Sequence, residues 1–261
     1  PFVGGRIDPE GQAAGDRQSR PGKMTGELPR RLAARRTGIA AADHGQLRCG
    51  QEGGIAANEQ NGRCAGHIRE LCRKVKVPVE TADRTLERLK ARDNEHAVGV
   101  FRKFDAPLDA TADHVLLDRP SDMGNLGAVL RTMLAFDVRD LAMIGPAADL
   151  YHPKVVRASM GGLFQIRFQT FDSFEDYRAP FDRNLYPLLT DAGAPLPEVA
   201  FARPWTLALG TEGPGLPDAF RDAGTPVRIP QSERVDSLNL AVAAGVALYE
   251  ATRGQALSDN S

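Results

Sequence analysis

One stretch, residues 205–253, constrains the fold of this chain more than any other. Two short apolar runs within it, at 206–209 and 227–229, have the length and the flanking glycines and prolines of buried parallel strands. Each run leads into a turn of small and polar residues, and an Ala-rich helix with almost no charge is predicted at 240–249. A helix of this composition has to be buried, either in the core or against another subunit.

The turn after the first run, Gly-Thr-Glu-Gly-Pro-Gly at 210–215, has a backbone that can approach a ligand closely because it is rich in glycine. It is neither the GxGxxG dinucleotide fingerprint nor a P-loop, since the glycines follow a different order and no Lys-Ser/Thr pair follows them. The second turn places Pro230, Ser237 and Asn239 before the apolar helix. Either turn alone is also compatible with an ordinary strand-to-helix connection.

The sequence from His114 onward alternates predicted strands and helices. Strands are predicted at 115–117, 141–144, 164–168, 185–189 and 205–209, and helical segments at 126–136, 152–160 and 174–177. This alternation is typical of an α/β fold, in which helices cover both faces of a parallel sheet.

Arg131 lies in a predicted helix that is otherwise made of apolar and small residues, except for Thr132. An arginine that loses its hydration on burial is costly unless a carboxylate or a phosphate pairs with it. We therefore predict that Arg131 is buried and has a functional or dimer-bridging role.

Three segments together resemble the three motifs of the SpoU/TrmH family of RNA 2'-O-methyltransferases, in the SPOUT superfamily. They are LLDRPSDMGNLGAVLRTMLAFDV, GTEGPGL and IPQSERVDSLNLAVA, and they occur in the family's order. The resemblance implies methylation of a ribose 2'-hydroxyl in rRNA or tRNA, with S-adenosyl-L-methionine as the cofactor. It also implies a deep trefoil knot, in which the chain from Thr206 onward passes through an earlier loop, and a homodimer that pairs through the apolar C-terminal helix.

The same resemblance implies roles for particular residues. The predicted catalytic residues are Asn125, Arg131, Glu212, Ser237 and Asn239; the predicted cofactor-binding residues are Gly210, Thr211, Gly215, Ile229, Pro230 and Leu238; and Lys154 and Arg157 are predicted to contact RNA.

Most of these residues also have a simpler interpretation. Asn125, Ser237 and Asn239 stand where helix N-caps are expected, and a cap is worth about 1 kcal/mol without any catalytic role. Glu212 is equally suited to the N-terminal end of the next helix, where the helix dipole favours a carboxylate. Lys154 and Arg157 lie three residues apart on one helix face, which is compatible with a solvated surface.

The first part of the chain differs in charge and composition from the rest. Residues 1–103 hold 20 Lys and Arg against 13 Asp and Glu, whereas residues 104–261 hold 13 against 21. This asymmetry indicates a basic module that meets a polyanion, joined to an acidic one. We predict a disordered or divergent segment at 1–62, a partial L30e-like α/β RNA-recognition domain at 63–103 by resemblance, a linker at 104–113 and the methyltransferase domain at 114–261.

Composition excludes several other classes. Cys49, Cys64 and Cys72 form no CxxC pair and the histidines are scattered, so neither a disulfide framework nor a metal site is expected. No apolar run or leader indicates a membrane span or secretion, and a cytoplasmic location is expected. Two alternatives remain open, namely a catalytically idle RNA-binding protein on the same fold and a Rossmann-like nucleotide-dependent enzyme. The particular RNA and nucleotide are not encoded in any of these patterns.

Overall fold

A computed structural model describes residues 37–41, 53–57, 70, 72–74, 78–81, 84, 88, 97–104, 106–211, 213–232 and 234–254. These residues belong to two compact units, and the chain passes from the first to the second between Lys103 and Phe104. Among the helices within these ranges, none is long and apolar enough to span a membrane. Cys49 and Cys64 lie outside the described residues, and Cys72 is buried.

The first unit contains a four-stranded mixed sheet in the order β1-β4-β2-β3. Its strands are β1 (Thr37–Ala41), β2 (Gly53–Ala57), β3 (Val79–Thr81) and β4 (Ala97–Arg102). Strand β4 is antiparallel to both β1 and β2, whereas β2 and β3 are parallel. Two of these strands, β1 and β2, lie within 1–62, the segment predicted to be disordered or divergent, and both pair with β4.

The second unit is built on a five-stranded sheet in the order β7-β6-β5-β10-β8, with all neighbours parallel. Its strands are β5 (His114–Asp118), β6 (Asp140–Ile144), β7 (Arg167–Phe171), β8 (Asn184–Pro187) and β10 (Trp205–Leu209). All residues of β5, β6 and β10 are buried, as expected for apolar strands at the centre of a parallel sheet. The predicted α/β class with a parallel sheet is confirmed.

One face of this sheet is covered by two short helices, α3 (Phe174–Arg178) and α4 (Asp218–Asp222). Alternation along the strands brings Leu116 and Ala208 to this face, where they form one core with both helices. The rings of Phe174 and Phe220 stack there, with centroids 3.9 Å apart.

Three further helices lie in the same unit, α1 (Met123–Ala135), α2 (Pro153–Ala158) and α5 (Leu240–Thr252), and α1 packs against each of the other two. The first and last also approach each other through rings, since the centroids of Phe136 and Tyr249 are 6.2 Å apart. This packing places the N-terminal ends of α1 and α5 side by side, which matters for the site described below.

Two short strands, β9 (Ala194–Pro195) and β11 (Val227–Arg228), form a separate parallel pair. The run predicted at 227–229 is therefore a parallel strand, but it lies outside the main sheet.

The strand predicted at 164–168 is displaced. Residues Gly162–Gln165 instead form a 3-10 turn that follows Gly161, whose φ of 85° is left-handed, and β7 begins at Arg167. The register of β7 pairs Arg167 with Asp140, and the two side chains form an ion pair with an N···O distance of 2.6 Å. This tertiary contact determines where the strand begins.

The segment 104–113, predicted as a linker, is bound to the second unit along the amino-terminal edge of the sheet. The N–H of Asp109 donates to Asp140 Oδ1 at 2.8 Å, and Arg183 donates to the carbonyls of Ala110 and Ala112, each at 2.7 Å. Ala106 also forms a β-bridge with Phe168. Residues 104–113, predicted as the linker between the two domains, are therefore held on the second unit, where distant charged side chains satisfy the polar groups of the segment.

Candidate functional site

A cleft of about 300 Å³ opens beyond the carboxyl-terminal ends of β8 and β10. Three separate stretches line it, and they come from within 188–190, 209–215 and 229–243. In open α/β sheets, ligands bind in crevices at this end of the strands. The fold therefore brings together, at one place, the two turns that the sequence singles out.

The first wall of the cleft is the turn after β10. Thr211 and Gly215 form a bridge that folds the turn back on itself. A Cβ atom at Gly210 would lie 2.2 Å from the carbonyl carbon of Gly215, so only glycine fits where the two arms of the turn meet. The predicted residues Gly210, Thr211 and Gly215 all line the cleft. Glu212 lies outside the described residues.

The second wall is the stretch that leads into α5. Ile229, Ser237 and Leu238 line the cleft as predicted, whereas Pro230 is not among the lining residues. Of the two predicted N-caps, Asn239 caps α5, since its Oδ1 accepts from the N–H groups of Ala241 and Val242 at 3.0 and 3.4 Å. The interpretation of Ser237 as a helix cap is wrong, because α5 begins only after Asn239.

Other residues of the cleft were not predicted. Leu188, Leu189 and Thr190 follow β8, and Gln231 and Asp236 come from the second turn. No local motif marks residues 188–190. The one available signal was topological, because carboxyl-terminal ends of neighbouring parallel strands share an edge of the sheet.

Asn125 lies beside the second wall and hydrogen-bonds to it. The side-chain N–H of Asn239 donates to Asn125 Oδ1 at 3.0 Å. Asn125 is not the N-cap of α1, because Asp122 takes that position and accepts the backbone N–H of Asn125 at 2.7 Å. This hydrogen bond holds the pKa of Asp122 below its ordinary value. The structure thus brings together the predicted residues Asn125 and Asn239 from opposite ends of the unit.

Arg131 does not match its prediction. It is exposed, and within the described part of the chain it makes no hydrogen bond or ion pair. The helix α1 buries one side through Leu126, Val129, Leu130 and Met133, and Arg131 falls on another side. The apolar composition of the helix therefore did not require its arginine to be buried, and Arg131 does not line the cleft.

The predicted RNA-contacting residues Lys154 and Arg157 are both exposed on α2. Lys154 reaches towards the start of α1, where its Nζ lies 3.8 Å from Asp122 Oδ2. The ammonium group of Lys154 therefore lies at the surface beside Asp122, the residue that accepts the backbone N–H of Asn125. His152 caps this helix through a hydrogen bond from the N–H of Lys154.

An unpredicted ion pair follows β5 at the same edge of the sheet. Asp118 is buried, and its Oδ2 accepts from both Nε and Nη2 of Arg119 at 3.0 Å. Arg119 has a φ of 45°, a left-handed conformation that costs a non-glycine residue about 1 kcal/mol or more. The sequence pattern gave no signal for this conformation.

The residues that line the cleft indicate what kind of ligand it suits. Among the described residues, no group of three or more His, Cys, Asp or Glu side chains is placed to hold a metal ion. The cleft offers backbone groups, small residues and apolar side chains, together with three hydroxyls, one amide and one carboxylate, those of Thr190, Thr211, Ser237, Gln231 and Asp236. Such a lining suits a ligand that is recognised by its shape and by hydrogen bonds to the backbone.

Comparison with known proteins gives this site a family. The sequence profile of the SpoU rRNA Methylase family matches residues 113–249, which is more than half of the chain and includes every segment that lines the cleft. The chain belongs to the SpoU rRNA methylase family. This membership argues against the alternative of a Rossmann-like nucleotide-dependent enzyme.

Two curated relatives illustrate the similarity in sequence. An uncharacterized tRNA/rRNA methyltransferase of Synechocystis is 37% identical over 54% of this chain and 53% of its own length. The 23S rRNA (uridine(2479)-2'-O)-methyltransferase of Streptomyces viridochromogenes is 34% identical over 53% of this chain and 52% of its own length. The chain thus spans about half the length of these relatives.

Solved structures extend the similarity to the fold. The AdoMet-bound rRNA methyltransferase of Sinorhizobium meliloti superposes with a TM-score of 0.71 and 26% identity, covering 85% of this chain and 89% of that one. The SpoU methyltransferase AviRb of Streptomyces viridochromogenes, in complex with AdoMet, has a TM-score of 0.64 and 29% identity over 76% of this chain and 81% of its own.

Proposed function

We propose that this chain transfers a methyl group from S-adenosyl-L-methionine to a ribose 2'-hydroxyl in structured RNA, either rRNA or tRNA. The observation that carries the proposal is the cleft itself. Its two walls are the glycine-proline turn at 210–215 and the turn before α5, and the hydrogen-bonded pair Asn125 and Asn239 stands beside them. The relatives named as 2'-O-methyltransferases and the AdoMet-bound neighbours support the assignment.

The residues of the cleft fit this cofactor. Its volume of about 300 Å³ lies at the lower end of the range of small-molecule sites. Gly210, Thr211, Gly215, Ile229 and Leu238 provide backbone groups and an apolar slot for the adenine and ribose, and Pro230 holds the turn beside Ile229. Bound there, S-adenosylmethionine supplies an electrophilic methyl group.

The chain must then position the RNA and stabilise the oxygen that reacts. A ribose hydroxyl has a pKa far above neutrality, so orientation and electrostatic stabilisation supply most of the catalysis. We assign to Arg131 the role of orienting the neighbouring phosphate and stabilising the developing alkoxide. Asn125, Ser237 and Asn239 fix the ribose, and Glu212 is assigned to the same reaction.

A homodimer would complete this arrangement. Val242, Val246 and Tyr249 recur at helical spacing on α5, and their exposed fractions are 52%, 38% and 57%. Large apolar side chains grouped on one helix face mark an interaction surface. Gly245 of this helix packs near Thr132, the residue that follows Arg131. A second copy seated on α5 would therefore approach Arg131, which explains an exposed arginine at a catalytic position.

A trefoil knot is supported by close backbone approaches around β11. The N–H of Thr225 donates to the carbonyl of Leu185 at 2.8 Å, and a Cβ atom at Gly224 would lie 2.2 Å from that same oxygen. On the other side, Val227 pairs with Ala194. The chain that leads into the second cleft turn is thus held between two earlier segments, as threading through a loop requires.

RNA recognition is assigned to both units. We propose that residues 63–103, within the first unit, form a partial L30e-like domain for substrate recognition, and the positive balance of residues 1–103 supports contact with a polyanion. In the second unit, Lys154 and Arg157 are exposed on α2, and we assign to them contacts with the RNA phosphates near Asn125.

The proposal is tested by methyl transfer from S-[methyl-³H]adenosylmethionine to purified rRNA and tRNA. We expect label in one RNA class, removable by ribonuclease, together with micromolar cofactor binding in calorimetry. A catalytically idle RNA-binding protein on the same fold would bind RNA in a gel-shift assay without any transfer, and this outcome would reject the proposal.

A further inference from the structure

The side-chain amide of Asn239 makes two different kinds of contact. Its Oδ1 accepts from the N–H groups of Ala241 and Val242 at the start of α5. Its Nδ2 donates to Asn125 Oδ1 on α1, at 3.0 Å. One amide therefore caps one helix and hydrogen-bonds to another.

The cap fixes which way this amide points. Reversing it would set an NH2 group against two backbone N–H donors, and α5 would lose its N-cap. The oxygen of Asn239 must face α5, so its nitrogen must face Asn125.

This orientation in turn sets the polarity of Asn125. Because Asn239 presents a donor, Asn125 must present its oxygen, and its own NH2 is turned away from Asn239. The backbone of Asn125 is held as well, since its N–H donates to the Asp122 cap at 2.7 Å. Both the position and the polarity of the Asn125 amide are thus determined from the protein side.

We propose that Asn239 is a positioning residue that orients Asn125 as a hydrogen-bond donor towards an oxygen of the substrate RNA, in the ribose or in its phosphate. The inference rests on the proposed function. Ribose and phosphate oxygens accept hydrogen bonds, and an oxygen that gains negative charge during methyl transfer is stabilised by N–H donors aimed at it. An asparagine with the opposite polarity would present a lone pair to the same oxygen and repel it.

A purely structural role predicts different behaviour. If the contact served only to join α1 to α5, any side chain that keeps the cap and the hydrogen bond would suffice. Asn239→Asp does so, because aspartate caps helices as well as asparagine. Asn125 can still hydrogen-bond to it, but only by turning its NH2 towards the carboxylate. The variant therefore inverts the polarity of Asn125 and retains the packing.

The experiment compares the full-length wild type with Asn239→Asp and Asn239→Ser, measuring kcat and KM for RNA, cofactor affinity and thermal stability. The serine variant is uncharged and can cap α5, but its side chain is too short to reach Asn125. We expect kcat to fall roughly tenfold or more in the aspartate variant and about threefold in the serine variant. Cofactor affinity should stay within about twofold, as expected when the interaction is used mainly in the transition state.

A wild-type kcat in the aspartate variant would overturn the inference. A decrease in kcat that is confined to the aspartate variant would also overturn it, because an unchanged serine variant would show that the added charge is responsible. Lack of RNA methylation by the wild type in the same assay would reject the proposed function itself. Wild-type kcat in both variants, measured beside an active wild type, would reject only the positioning role of Asn239.

Discussion

His114 Nδ1 lies 3.0 Å from the hydroxyl oxygen of Tyr177, inside the second unit and at the edge of the sheet opposite the cleft. The other ring nitrogen contacts the carbonyl of Asp109 at 2.8 Å, so the neutral ring donates to that carbonyl and accepts from the tyrosine. Burial is the main cause that lowers the pKa of His114 to about 4, and burial likewise raises the pKa of Tyr177 to about 12.

This arrangement predicts a pH dependence of folding. His114 is neutral in the folded chain above pH 4, whereas in the unfolded chain it takes up a proton below its ordinary pKa of 6.5. Its contribution is complete above pH 6.5 and is lost as the pH falls towards 4. The difference between the two pKa values corresponds to about 3 kcal/mol at most.

The measurement is urea unfolding of the wild type and His114→Gln between pH 7.5 and pH 4.5. We expect the free energy of unfolding of the wild type to fall more steeply with acid than that of the variant. Parallel curves for the two proteins would show that His114 is not the group responsible.

Gly210→Ala should damage the cleft directly. The added methyl group would overlap the backbone of Gly215, so the turn must move, at a cost of about 1–3 kcal/mol for overpacking. We expect cofactor affinity in calorimetry to fall more than tenfold. Gly245→Ala is the matched control, because its added methyl group would meet only Thr132 Cγ2, at 3.6 Å. Equal affinities in the two variants would contradict the placement of the cofactor.

Arg131→Ala should abolish most RNA methylation while leaving folding unchanged, since the side chain is exposed and makes no hydrogen bond or ion pair within the described residues. Loss of one transition-state contact predicts a decrease in kcat of about a hundredfold. Calorimetry with S-adenosylmethionine should give the wild-type affinity. Wild-type turnover in the variant would remove Arg131 from the mechanism.

Val246→Glu should separate the proposed dimer. A charge in the middle of the exposed apolar face of α5 would have to be desolvated on association. Light scattering should give twice the chain mass for the wild type and the single-chain mass for the variant. Ala219→Glu, at an exposed position on α4, is the control and should remain dimeric. A monomeric wild type would exclude the dimer.

The sequence was most informative where a structural feature depends on neighbouring residues. The continuous apolar runs of β5, β6 and β10 predicted buried parallel strands, and glycine and proline predicted the turn whose two arms meet at Gly210. The motifs also identified Asn125 and Asn239, although their hydrogen bond joins residues 114 positions apart in the chain.

Features that depend on tertiary partners were missed. The start of β7 follows from the ion pair between Arg167 and Asp140, and the attachment of residues 104–113 depends on Arg183, more than seventy positions further along. Composition also predicted that Arg131 is buried, but only one side of α1 faces the core. In each case the deciding contact comes from an element that local periodicity cannot locate.

The most direct test of the account is the identity of the methylated nucleoside. Purified protein is incubated with unmodified RNA and S-[methyl-²H3]adenosylmethionine, and the RNA is digested to nucleosides for mass spectrometry. We expect the deuterated methyl group on the ribose, in a 2'-O-methyl nucleoside. Deuterium on a base, or none on RNA despite measurable cofactor binding, would contradict it.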